Sequence, residues 1–142
     1  MRNILVEKMR GLVPYKETWD YQAKILEQIY DNRKLNKDIS GHLILCEHSH
    51  VYTLGKNGAQ SNLLADNERL KHIGAEFFHI DRGGDITYHG PGQIVGYPIF
   101  DLQKMKIGIK DYIYFIEESI ITLLKEYDIE AKRIDSATGI WI

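Results

Sequence analysis

A chain of 142 residues with 44% hydrophobic and 27% charged residues has the size and composition of one compact domain that buries its own core. A net charge of -2 and the lack of an arginine-rich block exclude the field that gathers nucleic acid, and no apolar run nears the roughly twenty residues needed to span a bilayer. The single cysteine, Cys46, excludes an internal disulfide and fits a reducing compartment. The opening MRNILVEKMRG lacks the unbroken apolar region of a secretory signal, so a cytoplasmic location is expected.

No internal repeat or linker interrupts the chain, which predicts a single domain over residues 1–142. Residues 3–9 (NILVEKM) read as a strand. A helix is expected over 14–33, with Pro14 near its start and Trp19, Ala23, Leu26, Ile29 and Tyr30 at helical spacing. HLILCEH (42–48) and VYTLG (51–55) are apolar or β-branched runs broken by Ser49 and His50, which predicts two strands or one bent strand. After the loop KNGAQSN, residues 66–73 read as a short helix closed by Gly74, and AEFFHID (75–81) as a strand. Beyond a glycine-rich stretch comes the strand QIVGYPIFDL (93–102). A helix over about 109–127 follows, with Tyr112, Phe115, Ile116, Ile120, Leu123, Leu124 and Tyr127 on one core-packing stripe. IEAKRI (129–134) and TGIWI (138–142) read as strands around the turn DSA. The sum is an α+β domain, a mixed or antiparallel sheet packed by two long helices.

The stretch RGGDITYHGPGQ, residues 82–93, gathers four glycines and a proline where a chain turns sharply or approaches something closely. It lies between strands and opens no helix, so the dinucleotide and P-loop fingerprints are absent. Arg82 offers planar donors to a carboxylate, phosphate or carbonyl, and Gly83 and Gly84 let backbone amides reach an oxygen-bearing ligand. In an extended chain Thr87 and His89 share one face and Tyr88 takes the other; His89 is the titratable candidate. The competing structural use has the glycines forming a hairpin bulge, Arg82 pairing with Asp81 or Asp85, and His89 capping the turn. Cys46, His48 and His50 alternate along one strand and in principle share a face, but no fourth ligand is evident and Ser49 bends the strand, so no metal site is expected. Cys46 reads as a buried structural thiol.

RGGDITYHGPGQIVGYPIFDL resembles the signature of the lipoyl(octanoyl) transferases, the octanoyl-acyl carrier protein:protein acyltransferases of lipoate synthesis. EHSHVYTLG resembles an earlier segment of that family and TGIWI a later strand, so the likeness runs over the whole chain. The resemblance implies an α+β fold shared with biotin protein ligases and lipoate ligases, the class II aminoacyl-tRNA synthetase and biotin synthetase-like fold. It implies transfer of octanoyl from octanoyl-acyl carrier protein to a lysine on lipoyl domains of 2-oxoacid dehydrogenase complexes and on the glycine cleavage H protein. No cofactor, metal, nucleic acid or membrane enters that reaction. It makes Arg82, Gly83, Gly84, Asp85, Ile86, Thr87, Tyr88 and His89 the wall of the acyl-substrate pocket, with Gly90-Pro91-Gly92 fixing the turn beyond and His48 and Tyr97 lining the cavity. Asp85 carries no catalytic role and reads as a solvated turn carboxylate. Lys104, Lys106 and Lys110 form a local positive patch able to steer an acidic carrier protein.

The family's nucleophile is a cysteine that takes the octanoyl group as a thioester, beside a lysine that lowers the thiol pKa. In the resembling family both lie C-terminal to the segment like TGIWI, so no catalytic residue is expected within these 142 residues, and the chain is expected to be truncated on its C-terminal side and silent by itself. Cys46, inside LILCEH, is out of order for that role. Two further readings are an ATP-dependent lipoate or biotin protein ligase-like enzyme, disfavoured because neither RR-x-x-GGG nor GRGRxGR occurs, and a non-catalytic fragment that binds an acyl chain or its carrier protein.

Overall fold

The computed structural model describes residues 3–142, which fall into two compact units, one ending at Phe100 and the other spanning Asp101–Ile142. The first unit opens with strand β1 (Asn3–Val13) and helix α1 (Tyr15–Lys34), followed by β2 (Ile39–His48) and β3 (Val51–Leu54). It continues through a single 3-10 turn (Gln60–Asn62), helix α2 (Asn67–His72), β4 (Glu76–His79), β5 (Ile86–His89) and β6 (Val95–Phe100).

Two three-stranded sheets form in this unit, ordered β1-β2-β6 and β4-β3-β5. Each has one parallel and one antiparallel ladder: β1 runs parallel to β2 and β6 antiparallel to it, while β4 runs parallel to β3 and β5 antiparallel to it. The fold is therefore α+β with mixed pairing. The runs 42–48 and 51–55 are two strands in two different sheets, divided by the bend at Ser49 and His50. β1 reaches Val13, four residues beyond the expected end. Gly11, at φ +71°, absorbs a register shift between Lys8 and Leu12, and the strand resumes with Val13 opposite His48.

Helix α1 packs on β2 and β6. Its buried residues are Tyr15, Thr18, Ile25 and Ile29, and Ile25 and Ile29 close with Ile44 of β2 on a core that Met9, Tyr21, Tyr97 and Ile99 flank. Of the stripe expected from sequence only Ile29 is fully buried; Leu26 and Tyr30 face outward. The buried face is set by where the sheet lies, and Thr18 can join it because its hydroxyl donates to Pro14 O at 3.0 Å.

The second unit holds a short helix α3 (Leu102–Met105), helix α4 (Ile109–Lys125) and the hairpin of β7 (Lys132–Ile134) and β8 (Ala137–Trp141). α3 replaces the expected end of the strand over 93–102: the carboxylate of buried Asp101 accepts from the Lys104 N–H and starts a helical turn. α4 meets β8, yet only Ile121 of the helix is fully buried, while Phe115, Ile120 and Leu123 stay exposed. A core-packing stripe over its whole length is thus not what forms. The helix has more apolar residues than one short hairpin can cover.

Candidate functional site

The residues singled out by the glycine-rich motif divide among three local structures: a loop at 82–85, strand β5 at 86–89 and a turn at 90–93. The loop is held by Arg82. Its guanidinium donates through Nη2 to Thr53 O at 3.0 Å, Thr53 Oγ1 at 2.9 Å and Asp85 O at 2.9 Å, and through Nη1 to Gly83 O at 2.9 Å. Arg82 pairs with neither the Asp81 nor the Asp85 carboxylate; its planar fork clasps its own loop onto β3. The Asp85 carboxylate is likewise tied down, accepting from the Asn62 side-chain amide.

Backbone closes the same loop. Gly55 N–H donates to Asp85 O at 3.3 Å and Lys56 N–H to Arg82 O at 3.0 Å. A Cβ on Gly55 would lie 2.4 Å from Gly84 O and 2.8 Å from Gly83 O, so the chain past β3 presses directly beneath the loop. Gly84 sits at φ +85°, a region that favours glycine. The N–H groups of exposed Gly83 and Gly84 donate to no acceptor among the described residues. Two adjacent exposed amides without an acceptor are donors that an oxygen atom of a ligand can reach.

β5 pairs with β3 so that Thr87 faces Thr53 and His89 faces Val51. Thr87 and His89 thereby share one side of the ladder, with Ile86 and Tyr88 on the other. Tyr88 packs on Tyr52 and shares a hydrogen bond with His50 Nδ1. His50 has thus turned away from Cys46 and His48, and no group of three metal-ligating side chains occurs among the described residues.

His89 belongs to a cluster of rings that ties the two sheets of the first unit together. Its ring lies parallel to Tyr15, the first residue of α1, at 12° and 6.2 Å between centroids. Tyr15 also stacks on Phe78 and meets His48 edge-on at 5.3 Å. The His48 ring lies 5.9 Å from both His89 and Tyr97. His48, with no solvent exposure, has a fixed tautomer: Nδ1–H donates to Val13 O at 2.9 Å, a carbonyl that can only accept. Nε2 then carries the lone pair and accepts the Tyr97 O–H at 2.8 Å, with Cys46 Sγ 3.7 Å away.

The electrostatics favour the neutral forms of His48, Cys46, Tyr97 and Tyr15. Burial holds His48 below the usual histidine range, outweighing the hydrogen bond to Val13, and the neighbouring His89 lowers it further. Burial pushes up the Cys46 thiol and pushes Tyr97 well above the ordinary phenol range, Tyr97 with added repulsion from Tyr15 and Cys46. Tyr15 is raised chiefly by burial, with the Arg82 charge opposing and the Asp81 charge reinforcing that shift. A thiol so held is a poor nucleophile.

The structure therefore gathers His48, Tyr97 and His89 in one ring cluster, with Arg82, Gly83, Gly84 and Asp85 in the adjoining loop. Ile86 and Tyr88 face the other side of β5. Tyr15 went unread because, next to Pro14, it looks like an ordinary first-turn residue; only the pairing of two sheets shows that the helix start lies against His48 and His89.

Two mixed sheets with a long helix across one of them form a fold that solved lipoate-ligase structures share. P. falciparum LipL1, whose crystal structure is in complex with lipoate, superposes with a TM-score of 0.64 over 93% of this chain and 39% of that one, at 19% identity. The lipoyl protein ligase A/B catalytic domain family matches residues 14–142, and the chain belongs to that family. The octanoyltransferase of Bacteroides thetaiotaomicron is 44% identical over 142 residues, covering 100% of this chain and 62% of that protein. The octanoyltransferase of Cytophaga hutchinsonii is 45% identical over 149 residues, covering 99% and 61%. The chain thus spans about three-fifths of the length of these relatives.

Proposed function

We propose that these residues form the acyl-pocket portion of an octanoyltransferase, which takes octanoyl from octanoyl-acyl carrier protein and delivers it to a lysine of a lipoyl domain through a cysteine thioester. The identity to proteins named octanoyltransferase carries this reading. The loop geometry supports where the substrate sits. The open N–H groups of Gly83 and Gly84 receive the acyl oxygen, Arg82 acts as the clasp that shapes the loop, and Thr87 and His89 with His48 and Tyr97 form the wall. Ile86 and Tyr88, on the far face of β5, and Asp85, tied to Asn62, hold the strand and loop from behind.

Cys46 is the one cysteine of the 142 residues, and its buried, raised thiol fits no nucleophilic role. The reading therefore has this chain bind the acyl thioester without turning it over. Octanoyl-acyl carrier protein is the donor. The lipoyl domains of 2-oxoacid dehydrogenase complexes and the glycine cleavage H protein are the acceptors. No helix among the described residues is long and apolar enough to cross a membrane, and we assign a cytoplasmic location.

Intact-mass analysis after incubation with octanoyl-acyl carrier protein tests this, run beside the same chain fused to the C-terminal part of the B. thetaiotaomicron relative. Octanoyl gained by the fusion alone is the expected result. Octanoyl on Cys46, or ATP-dependent loading of lipoate, would overturn the assignment.

A further inference from the structure

Strand β2 ends in two residues whose side chains leave opposite faces and hold different parts of the site. His48 holds Tyr97. Glu47, half-buried, holds backbone instead: its Oε2 accepts the Gly92 N–H at 2.8 Å. Gly92 lies in the turn after β5, which the Gln93 N–H closes on Gly90 O at 3.1 Å. Pro91 and Gly92, the latter at φ +83°, fill the two central positions as a type II turn requires. β2 belongs to the sheet β1-β2-β6 and β5 to the other, so the carboxylate grips the chain where it passes from one sheet to the next.

Type I and type II turns differ chiefly by a half-rotation of the central peptide, here Pro91–Gly92, and a glycine in the second position tolerates either. The N–H of that peptide takes no part in the hydrogen bond that closes the turn, so an acceptor that captures it selects one orientation. Glu47 does so through a charge-assisted bond, and among the described residues no other side chain bonds the backbone of 90–92. The choice reaches the site because the next residue is Gln93, whose Oε1 lies 2.7 Å from His89 Nδ1. His89 and Gln93 thus clasp across the two ends of the turn, and the His89 ring lies flat against Tyr15. Glu47 makes no hydrogen bond to His89, so what one does to the other travels through the turn.

We propose that Glu47 is a positioning residue of the acyl-binding wall: by holding the Pro91–Gly92 peptide it keeps Gln93 against His89, and so fixes the His89 ring on the face it shares with Thr87. This rests on the octanoyltransferase reading, which makes that face the wall.

The test uses the 142-residue chain with labelled backbone amides and histidine rings, titrated with octanoyl-pantetheine and read by NMR. Glu47→Met removes the acceptor at nearly the same length, and Glu47→Gln keeps an uncharged, weaker one. In Glu47→Met the Gly92 amide should move upfield and the ring signals of His89 should shift. Its affinity for octanoyl-pantetheine, read at the Gly83 and Gly84 amides, should fall roughly fivefold, the worth of about one net hydrogen bond. Glu47→Gln should show the same changes in smaller measure, with an affinity within about twofold of the parent. Unmoved His89 signals in Glu47→Met would overturn the proposal, as would an equal loss of affinity in both variants that simply follows their urea midpoints. Should Glu47→Met fail to fold, Glu47→Gln decides: a moved Gly92 amide beside an unmoved His89 ring breaks the link. A parent chain whose Gly83 and Gly84 amides ignore octanoyl-pantetheine overturns the octanoyltransferase reading, whereas unmoved ring signals in variants of a parent that does bind sink the role of Glu47 alone.

Discussion

At Gly55 the absent side chain is what allows the loop to close. Any Cβ there meets three backbone oxygens, those of Gly84 at 2.4 Å, Gly83 at 2.8 Å and Arg82 at 3.0 Å, and backbone cannot swing aside as a flexible side chain would. Gly55→Ala is expected to cost about 1–3 kcal/mol, the usual range for forcing atoms into a packed site. A lower urea midpoint together with displaced amide signals over 82–85 would confirm it, and an unchanged midpoint would contradict the crowding. His48 makes a second prediction at this scale. Its folded pKa lies below the unfolded value near 6.5, so the unfolded chain takes up a proton that the folded chain refuses. The contribution is complete above that unfolded value and is lost as pH falls toward the folded pKa, at no more than about 1.4 kcal/mol per pH unit for one site. Denaturation midpoints followed downward from neutral pH should show this fall, and His48→Gln should flatten the slope even though it also lowers the whole curve.

Among the elements, the β7–β8 hairpin is fastened to α4 by one arginine. Arg133 donates through Nε to Glu117 at 2.9 Å and through Nη2 to Glu118 at 2.9 Å and to Tyr114 O at 3.0 Å, with its guanidinium 4.2 Å from the Tyr114 ring centroid. Glu117 also accepts from the Gly139 N–H at 2.9 Å, so one carboxylate joins both strands to the helix. Arg133→Ala should speed hydrogen exchange at the β7 and β8 amides and leave β2 as it was; uniform loss of protection across both would instead mean that the arginine acts on global stability. None of this was legible from residue order, since Arg133 lies within a run that reads only as a strand. Helices α1 and α4 were legible because their apolar spacing repeats over many turns, and Pro14 marks a helix start locally. The parallel ladders of β1 with β2 and of β3 with β4 were not, because pairing between distant segments leaves no trace in either segment alone. The site divides along the same line. Family likeness pointed to Arg82–His89, His48 and Tyr97, but the inward clasp of Arg82 and the place of Tyr15 depend on contacts across sheets.

For the molecule as a whole, the apolar surface decides how it behaves in solution. Ile109 is 71% exposed, Tyr127 70% and Ile142 88%, and half-exposed Phe115, Leu123 and Trp141 add to them, all within α4, the residues just past it and the end of the hairpin. A groove of about 410 Å³ along the same helix is lined by Ile113, Ile116, Ile120, Leu124, Ile140 and Ile142. Apolar surface of this kind, contiguous along one element, seeks cover, and a net charge of only -2 supplies little repulsion to keep copies apart. The chain is therefore expected to bind a hydrophobic dye and to associate as concentration rises in size-exclusion chromatography. Phe115→Glu combined with Leu123→Glu should reduce both effects while the far-ultraviolet circular dichroism stays the same, because both side chains point outward and neither is buried in a core. A chain that remains monomeric at every concentration and leaves the dye dark would mean that these residues find cover of their own in solution, and that α4 is packed more fully than its exposed residues indicate.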